Sequence, residues 1–196
     1  MELLEPGRSV LLVIDFQGKL MDLVENPARI VVAATRLLTL AQMCEVPVLL
    51  TEQYPKGIGT THPKIRAAFD ALTTPKRYMD KMTFDCVADP KFGALLDELR
   101  PRPVGAPRQV VVTGVEAHVC VMQTAIQLLR SGDQVHLPWD AVSGRGAEYV
   151  RRALSRMAQA GAVITNHESV GFEWMRDKRH PRFREMSDLF KQGQPA

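Results

Sequence analysis

Cys120 lies in the stretch QVVVTGVEAHVCVMQTAIQLLRSGDQVHL, Gln109 to Leu137, and a thiol is the best nucleophile this chain has to offer. Gln109 to Thr113 is a β-branched apolar run bounded by Pro107 and Gly114, which suits a strand covered on both faces. From Val121 to Leu129 the apolar residues fall at helical spacing, and Gly132 supplies a left-handed stop. The pattern predicts a tight turn over Val115 to Val119, with Cys120 opening the helix. That turn falls at the carboxyl edge of a parallel strand, where open α/β sheets place their ligand crevices. A thiol there meets free N–H groups and the positive end of the helix dipole, which favour the reactive thiolate. A cysteine with apolar neighbours is, however, usually an inert core residue.

Two further residues change that balance. Asp15 ends the compact apolar run Ser9 to Ile14, and Lys81 follows a short candidate strand, Pro75 to Met79. Attack on an unactivated carbonyl needs a nucleophile, a base for its proton and a positive group to hold the developing charge. Cys120, Asp15 and Lys81 can fill those roles. Taken singly the signals are weak, since a strand-terminal aspartate is often a turn residue and a lone lysine is usually on the surface.

The elements that must position these groups read as alternating strands and helices. Asn26-Pro27 opens a helix to about Cys44, and Val46 to Thr51 is a second strand. Residues 52–69 read as a long loop, of a length that is usually functional or disordered, entering a short helix at Lys64 to Phe69. Asp89-Pro90 starts a helix through Leu99, and Ala147 to Gln159 is another, with Ala162 to Thr165 as a sixth strand. A short helix, Val170 to Met175, and a helical tail, Phe183 to Phe190, complete the chain. The alternation predicts a three-layer α/β/α sandwich around a six-stranded, mostly parallel, doubly wound sheet. No Gly-rich dinucleotide fingerprint follows the first strand, where DFQGKL stands.

At 196 residues, 45% apolar and 24% charged, the chain supports one domain, residues 1–196, with a sizeable core. A formal charge of +3, with both signs interspersed, gives little support for nucleic-acid binding. The basic cluster between Arg176 and Arg184 reads as a solvated face or a subunit contact. Three cysteines without paired spacing make no disulfide framework, and neither CxxC nor HxH spacing occurs. With no signal-peptide pattern and no membrane-length apolar run, a soluble cytoplasmic protein is expected.

The segments LLVIDFQ, DKMTFD (Asp80 to Asp85), VVVTGVEAHVCVMQTA (Val110 to Ala125) and DAVSGR (Asp140 to Arg145) occur in an order that resembles the isochorismatase-like cysteine hydrolase superfamily. NHESVGFEW and HPRFREMSDLFK look like its isochorismatase-domain-containing branch, so the likeness runs from Ser9 to about Phe190. The resemblance implies a catalytic triad of Asp15, Lys81 and Cys120, and a cis peptide between Val115 and Glu116. It also implies an oxyanion hole from the backbone N–H groups of Glu116 and Cys120. The implied activity is hydrolysis of a C–N bond in a small amide, imide or carbamoyl-like molecule, through a thioester-type intermediate.

The thiol argues against isochorismatase-type vinyl ether hydrolysis, which typically does without one. Nicotinamidases of the superfamily carry Asp-x-His and a further histidine for a metal after the second strand; this chain has Thr51-Glu52-Gln53-Tyr54 there. No metal and no cofactor are therefore expected, Glu52 and His62 notwithstanding. Phe16, Gln17, Tyr54, Phe84, His118 and Phe172 flank the motif positions and are the expected substrate-binding wall. His118 also fits a capping or packing role, and Gln17 either supports the surroundings of Asp15 or faces solvent. Cys44 and Cys86 read as structural, while Trp139 and Asp140 brace the adjoining loop. The resemblance implies a homo-oligomer, with the 166–175 segment and the basic tail as contact surface. The alternative in another class is a ligand-binding or scaffold protein that keeps the fold with an idle or redox-active thiol.

Overall fold

The computed structural model describes residues 2–193. The strands are β1 (Ser9–Ile14), β2 (Val48–Gln53), β3 (Lys76–Lys81), β4 (Gln109–Gly114), β5 (Gln134–Pro138) and β6 (Val163–Thr165). The helices are α1 (Gly18–Met21), α2 (Pro27–Met43), α3 (Pro55–Ile58), α4 (Pro63–Asp70), α5 (Pro90–Leu99), α6 (Met122–Arg130), α7 (Ala147–Gln159), α8 (His167–Met175) and α9 (Phe183–Lys191). Short polar caps set several helix starts: Asn26 accepts from Arg29 N–H, Asp89 from Lys91 N–H and Asn166 from Ser169 N–H.

The six strands form one sheet in the order β3-β2-β1-β4-β5-β6, every pair parallel. β1, β2 and β4 are buried along their whole length, as apolar runs covered on both faces must be. One apolar layer packs α2, α4, α8 and α9 on one face, and a second packs α5, α6 and α7 on the other. The order reverses between β1 and β4, so the crevice outside their carboxyl ends is the switch point at which doubly wound sheets bind ligands.

Some boundaries differ from those expected. β2 and β3 each run two residues further than the apolar runs suggest, because Glu52 and Gln53 pair in register with Asp80 and Lys81. The long loop holds α3 and α4. Cys120 does not open its helix: a π turn over Ala117–Val121 precedes α6, closed by Val121 N–H on the Glu116 carbonyl at 3.3 Å. The 166–175 segment, expected as a subunit contact, turns Val170, Gly171, Trp174 and Met175 inward, and α8 packs on α2. No helix among the described residues is long and apolar enough to cross a membrane.

Gly114, at φ 149°, carries β4 past Ile14 so closely that a Cβ would stand 2.3 Å from the Ile14 carbonyl oxygen. Backbone cannot yield cheaply there. Gly114→Ala is expected to cost about 3 kcal/mol, a fall of roughly 6–12 °C in melting temperature for a chain of this size. A calorimetric shift below about 2 °C would show that the strands can part at this point.

Candidate active site

Asp15 follows β1 in a left-handed conformation, φ 55°, which turns its carboxylate back over the sheet edge. Its Oδ1 accepts from Thr51 Oγ1 at 2.7 Å and its Oδ2 from Lys81 Nζ at 2.7 Å. Both side chains of the ion pair are fully buried. Lys81, the last residue of β3, also donates to Gln53 Oε1 at 2.8 Å and to the Thr83 carbonyl at 3.1 Å. Those acceptors take the three ammonium protons. Burial is the largest single influence on Lys81 and opposes its charge, but Asp15, Cys86 and Cys120 together outweigh it, and the Lys81 pKa is raised.

Gln53 is itself held on three sides. Its Nε2 donates to the Met82 carbonyl at 2.8 Å, while its backbone N–H and carbonyl exchange bonds with the Gln17 amide at 2.6 and 3.0 Å. Thr51 and Gln53 thus fix the ion pair, although polar residues at a strand end carry no sequence signal for such a role. Gln17 supports the surroundings of Asp15 rather than facing solvent: its backbone N–H donates to the Asp15 carbonyl at 2.7 Å, and its side chain holds Gln53. It is fully buried, and clamps the chain after β1 to the end of β2.

Cys120 is 5% exposed, and Asp15 and Lys81 are the charged side chains that act on its thiol. Burial, then the Asp15 carboxylate, push its pKa up, and Lys81 offsets this only in part. The expectation of a preformed thiolate is therefore corrected. The π turn sets the sulfur inside the second apolar layer rather than at the first N–H of a helix, and desolvation dominates. The neutral Cys120 thiol thus has a proton acceptor, the Asp15 carboxylate, beside it. The Cys86 thiol is fully buried and pushed up to about 12 by that burial, and Cys44 is likewise pushed up to about 11.

The turn before Cys120 is braced from the loop after β5. The Val115–Glu116 peptide is cis, Ala117 N–H donates to the Ser143 carbonyl at 2.7 Å, and Glu116 Oε1 lies 2.6 Å from Arg145 Nε. His118 stacks on Tyr149, ring centroids 5.0 Å apart, with its Nδ1 buried against Gly144. Packing is the role this placement gives it. Asp140 holds the start of α8, accepting from His167 N–H at 3.0 Å and pairing with its Nδ1 at 2.6 Å. Trp139 is half-exposed under the Arg29 guanidinium.

The expected substrate wall divides. Tyr54 and Phe84 stand exposed just past the carboxyl ends of β2 and β3. Phe16 is instead a core residue of the layer beneath α2. Phe172 is misplaced as a wall residue: it packs on Phe183 and Phe190. Its neighbours Glu173 and Trp174 bond Leu4 and Ser9 at the amino edge of the sheet, away from Cys120. A motif position fixes sequence adjacency and not the face a helix presents.

Among the described residues no three His, Cys, Asp or Glu side chains gather as metal ligands. Glu52, the one oxygen donor weighed for that purpose, accepts from Thr61 N–H and Oγ1 at 2.7 Å each and from Tyr78 Oη at 2.9 Å. His62 caps α4 through Lys64 N–H.

The isochorismatase domain model matches residues 9–169. Isochorismatase domain-containing protein 2 of Homo sapiens is 38% identical over 190 residues, 97% of this chain and 86% of that protein. Isochorismatase domain-containing protein 1 of Danio rerio is 34% identical over 98% of this chain and 64% of its own length. Among solved structures, the MAR1 ribonuclease of Caenorhabditis elegans superposes with a TM-score of 0.88 at 32% identity, covering 100% of this chain and 95% of that one. The nicotinamidase SaPncA of Staphylococcus aureus, at 18% identity and a TM-score of 0.65 over 82% of this chain and 98% of its own, shares the fold. With a matching domain model from β1 into α8 and relatives similar over nearly its whole length, the chain belongs to the isochorismatase domain family.

Proposed function

We propose that this protein is a metal-independent cysteine hydrolase that cleaves a C–N bond of a small amide, imide or carbamoyl-like substrate. The observation that carries the reading is the buried Asp15–Lys81 pair meeting the Cys120 thiol at the sheet's switch point. Because the thiol rests in its neutral form, Asp15 takes its proton as sulfur attacks the carbonyl carbon, and Lys81 keeps the carboxylate in place. The N–H groups of Glu116 and Cys120 hold the oxyanion. The C–N bond then breaks, Asp15 returns the proton to the leaving nitrogen, and a thioester remains on Cys120. Water, deprotonated by Asp15, releases the acyl group as a carboxylic acid and restores the thiol.

The name of the C. elegans protein suggests phosphodiester cleavage as a second reading. It has weaker support here, because Lys81 has no proton left for a phosphate and Cys120, Asp15 and Lys81 lie nearly closed from solvent. The basic cluster gives RNA little to hold, since Arg179 pairs with Asp177 and Arg182 with Glu185. Isochorismatase-type vinyl ether hydrolysis would leave the thiol unused. A cytoplasmic homo-oligomer remains part of the proposal. The fold neighbour YcaC of Escherichia coli, 23% identical, is described as an octameric hydrolase.

A panel of small amides with mass spectrometry of the Cys120 peptide tests this reading. An acyl adduct is expected on the wild type and none on Cys120→Ala, with turnover about 10²–10⁴-fold lower for Asp15→Asn. Full activity in either variant would refute the triad.

A further inference from the structure

A cavity of about 500 Å³ opens between the start of α2, the β5–β6 edge and α7, lined among others by Arg29, Trp139, Val150, Leu154 and Ile164. It is separate from the cluster around Cys120, and its size is that of a small-molecule site. Its lining is unusual in two respects. Trp139 is 46% exposed and Ile164 37%, so apolar surface lies open where a folded chain normally covers it. Above Trp139, 5.5 Å from the ring centre, the Arg29 guanidinium is poorly bonded. Its Nε is buried with no partner, and its Nη2 reaches only the Val142 carbonyl, at 3.5 Å. Arg151, also at the cavity, is already spent on Glu148 by two bonds of 2.7 and 2.8 Å. Glu25 also lines the cavity.

We propose that this cavity binds a small carboxylate carrying a flat apolar body. The Arg29 guanidinium, whose Nη2 is engaged only by a 3.5 Å bond to the Val142 carbonyl, offers a charge-assisted donor to a carboxylate. The apolar body lies on Trp139, Leu154 and Ile164, removing that surface from water. The site also has a route to the catalytic turn. The Glu25 carbonyl accepts from Ser143 Oγ at 2.6 Å, Glu25 N–H donates to the Gly144 carbonyl at 3.0 Å, and the Ser143 carbonyl holds Ala117 N–H at 2.7 Å. Occupancy beside Arg29 therefore bears on the loop that braces the turn before Cys120.

The inference is independent of the hydrolase reading, and benzoate is a suitable probe. Titration of the full chain should give saturable quenching of Trp139 emission, lost in Trp139→Phe, together with a rise in melting temperature. Benzamide, which has the same body without the charge, and the variant Arg29→Gln should each bind at least tenfold more weakly. Binding should persist in Cys120→Ala, which separates this cavity from the catalytic centre. Equal affinity for benzamide, or unchanged benzoate binding in Arg29→Gln, would overturn the proposal. So would Trp139 emission that shifts to the blue with protein concentration alone, since a second copy of the chain would then cover the cavity.

Discussion

Lys81→Met should lower the free energy of unfolding at neutral pH by about 3–5 kcal/mol, a large share of the stability of an ordinary domain. The loss comes less from the missing attraction than from what remains. Asp15 would keep only the Thr51 hydroxyl and the Cys120 thiol as donors, with no cation, in a position with no exposure to water. Two measurements make the attribution specific. Urea unfolding of Lys81→Met should show the deficit shrinking as the pH falls, because an isolated Asp15 can then take a proton. The double variant Lys81→Met with Asp15→Leu should recover most of the loss, because no uncompensated charge is left behind. A single-variant deficit below about 1 kcal/mol would mean that the carboxylate has another way to water. In the wild type the raised Lys81 pKa gives the opposite limit: its contribution is complete below the ordinary lysine value and disappears as the pH rises through the folded one.

His136 should make the fold sensitive to mild acid. It lies in β5 between Val111 of β4 and Val163 of β6, 1% exposed, and neither ring nitrogen has a partner. Burial holds its pKa down to about 4 against an ordinary value of 6.5. The unfolded chain therefore binds the proton first as the pH falls. Stability is fully present above 6.5, and about 3 kcal/mol is lost by the time the folded pKa is reached. Carboxylates titrate in the same range, so the informative quantity is the difference from His136→Leu, which fits a buried strand position without a titratable ring. Unfolding free energies measured at pH 7, 5.5 and 4 should diverge in favour of the variant as the pH drops. Parallel curves would show that the imidazole finds an acceptor or water in the fold.

Much of this architecture is written plainly in the chain. β1 and β4 are uninterrupted apolar runs, Asn26-Pro27 and Asp89-Pro90 are self-announcing helix starts, and the glycine-bounded α7 falls where its period puts it. The positions of Asp15, Lys81 and Cys120 at one sheet edge follow from those elements. What stayed hidden depends on which way side chains turn. β3 is an edge strand with exposed and buried positions mixed, so its last two residues lack an apolar signal. The clamps made by Gln17, Thr51 and Gln53 are polar residues bonding polar partners, a pattern that any loop could show. Within the 166–175 segment the start of α8 is tied down by Asp140 and turns Val170, Trp174 and Met175 toward α2, while Phe172 stays exposed beside Phe183 and Phe190, a division of faces that the apolar count alone does not show. The protonation of Cys120 is a matter of depth, and depth depends on a π turn that periodicity cannot distinguish from an ordinary helix start.

The complete engagement of Lys81 has a bearing on how the pocket handles electricity. At rest the three groups sum to zero: one anion, one cation and one neutral thiol. In the proposed reaction the proton moves from sulfur to Asp15 as the bond to carbon forms, the negative charge passes to the oxyanion, and the sum with the substrate is still zero. Only a dipole is redrawn, over the few ångströms between neighbouring side chains. A sealed cavity tolerates that rearrangement far better than it would tolerate gaining or shedding an ion, so the proposed attack by sulfur needs no solvent to balance its charge.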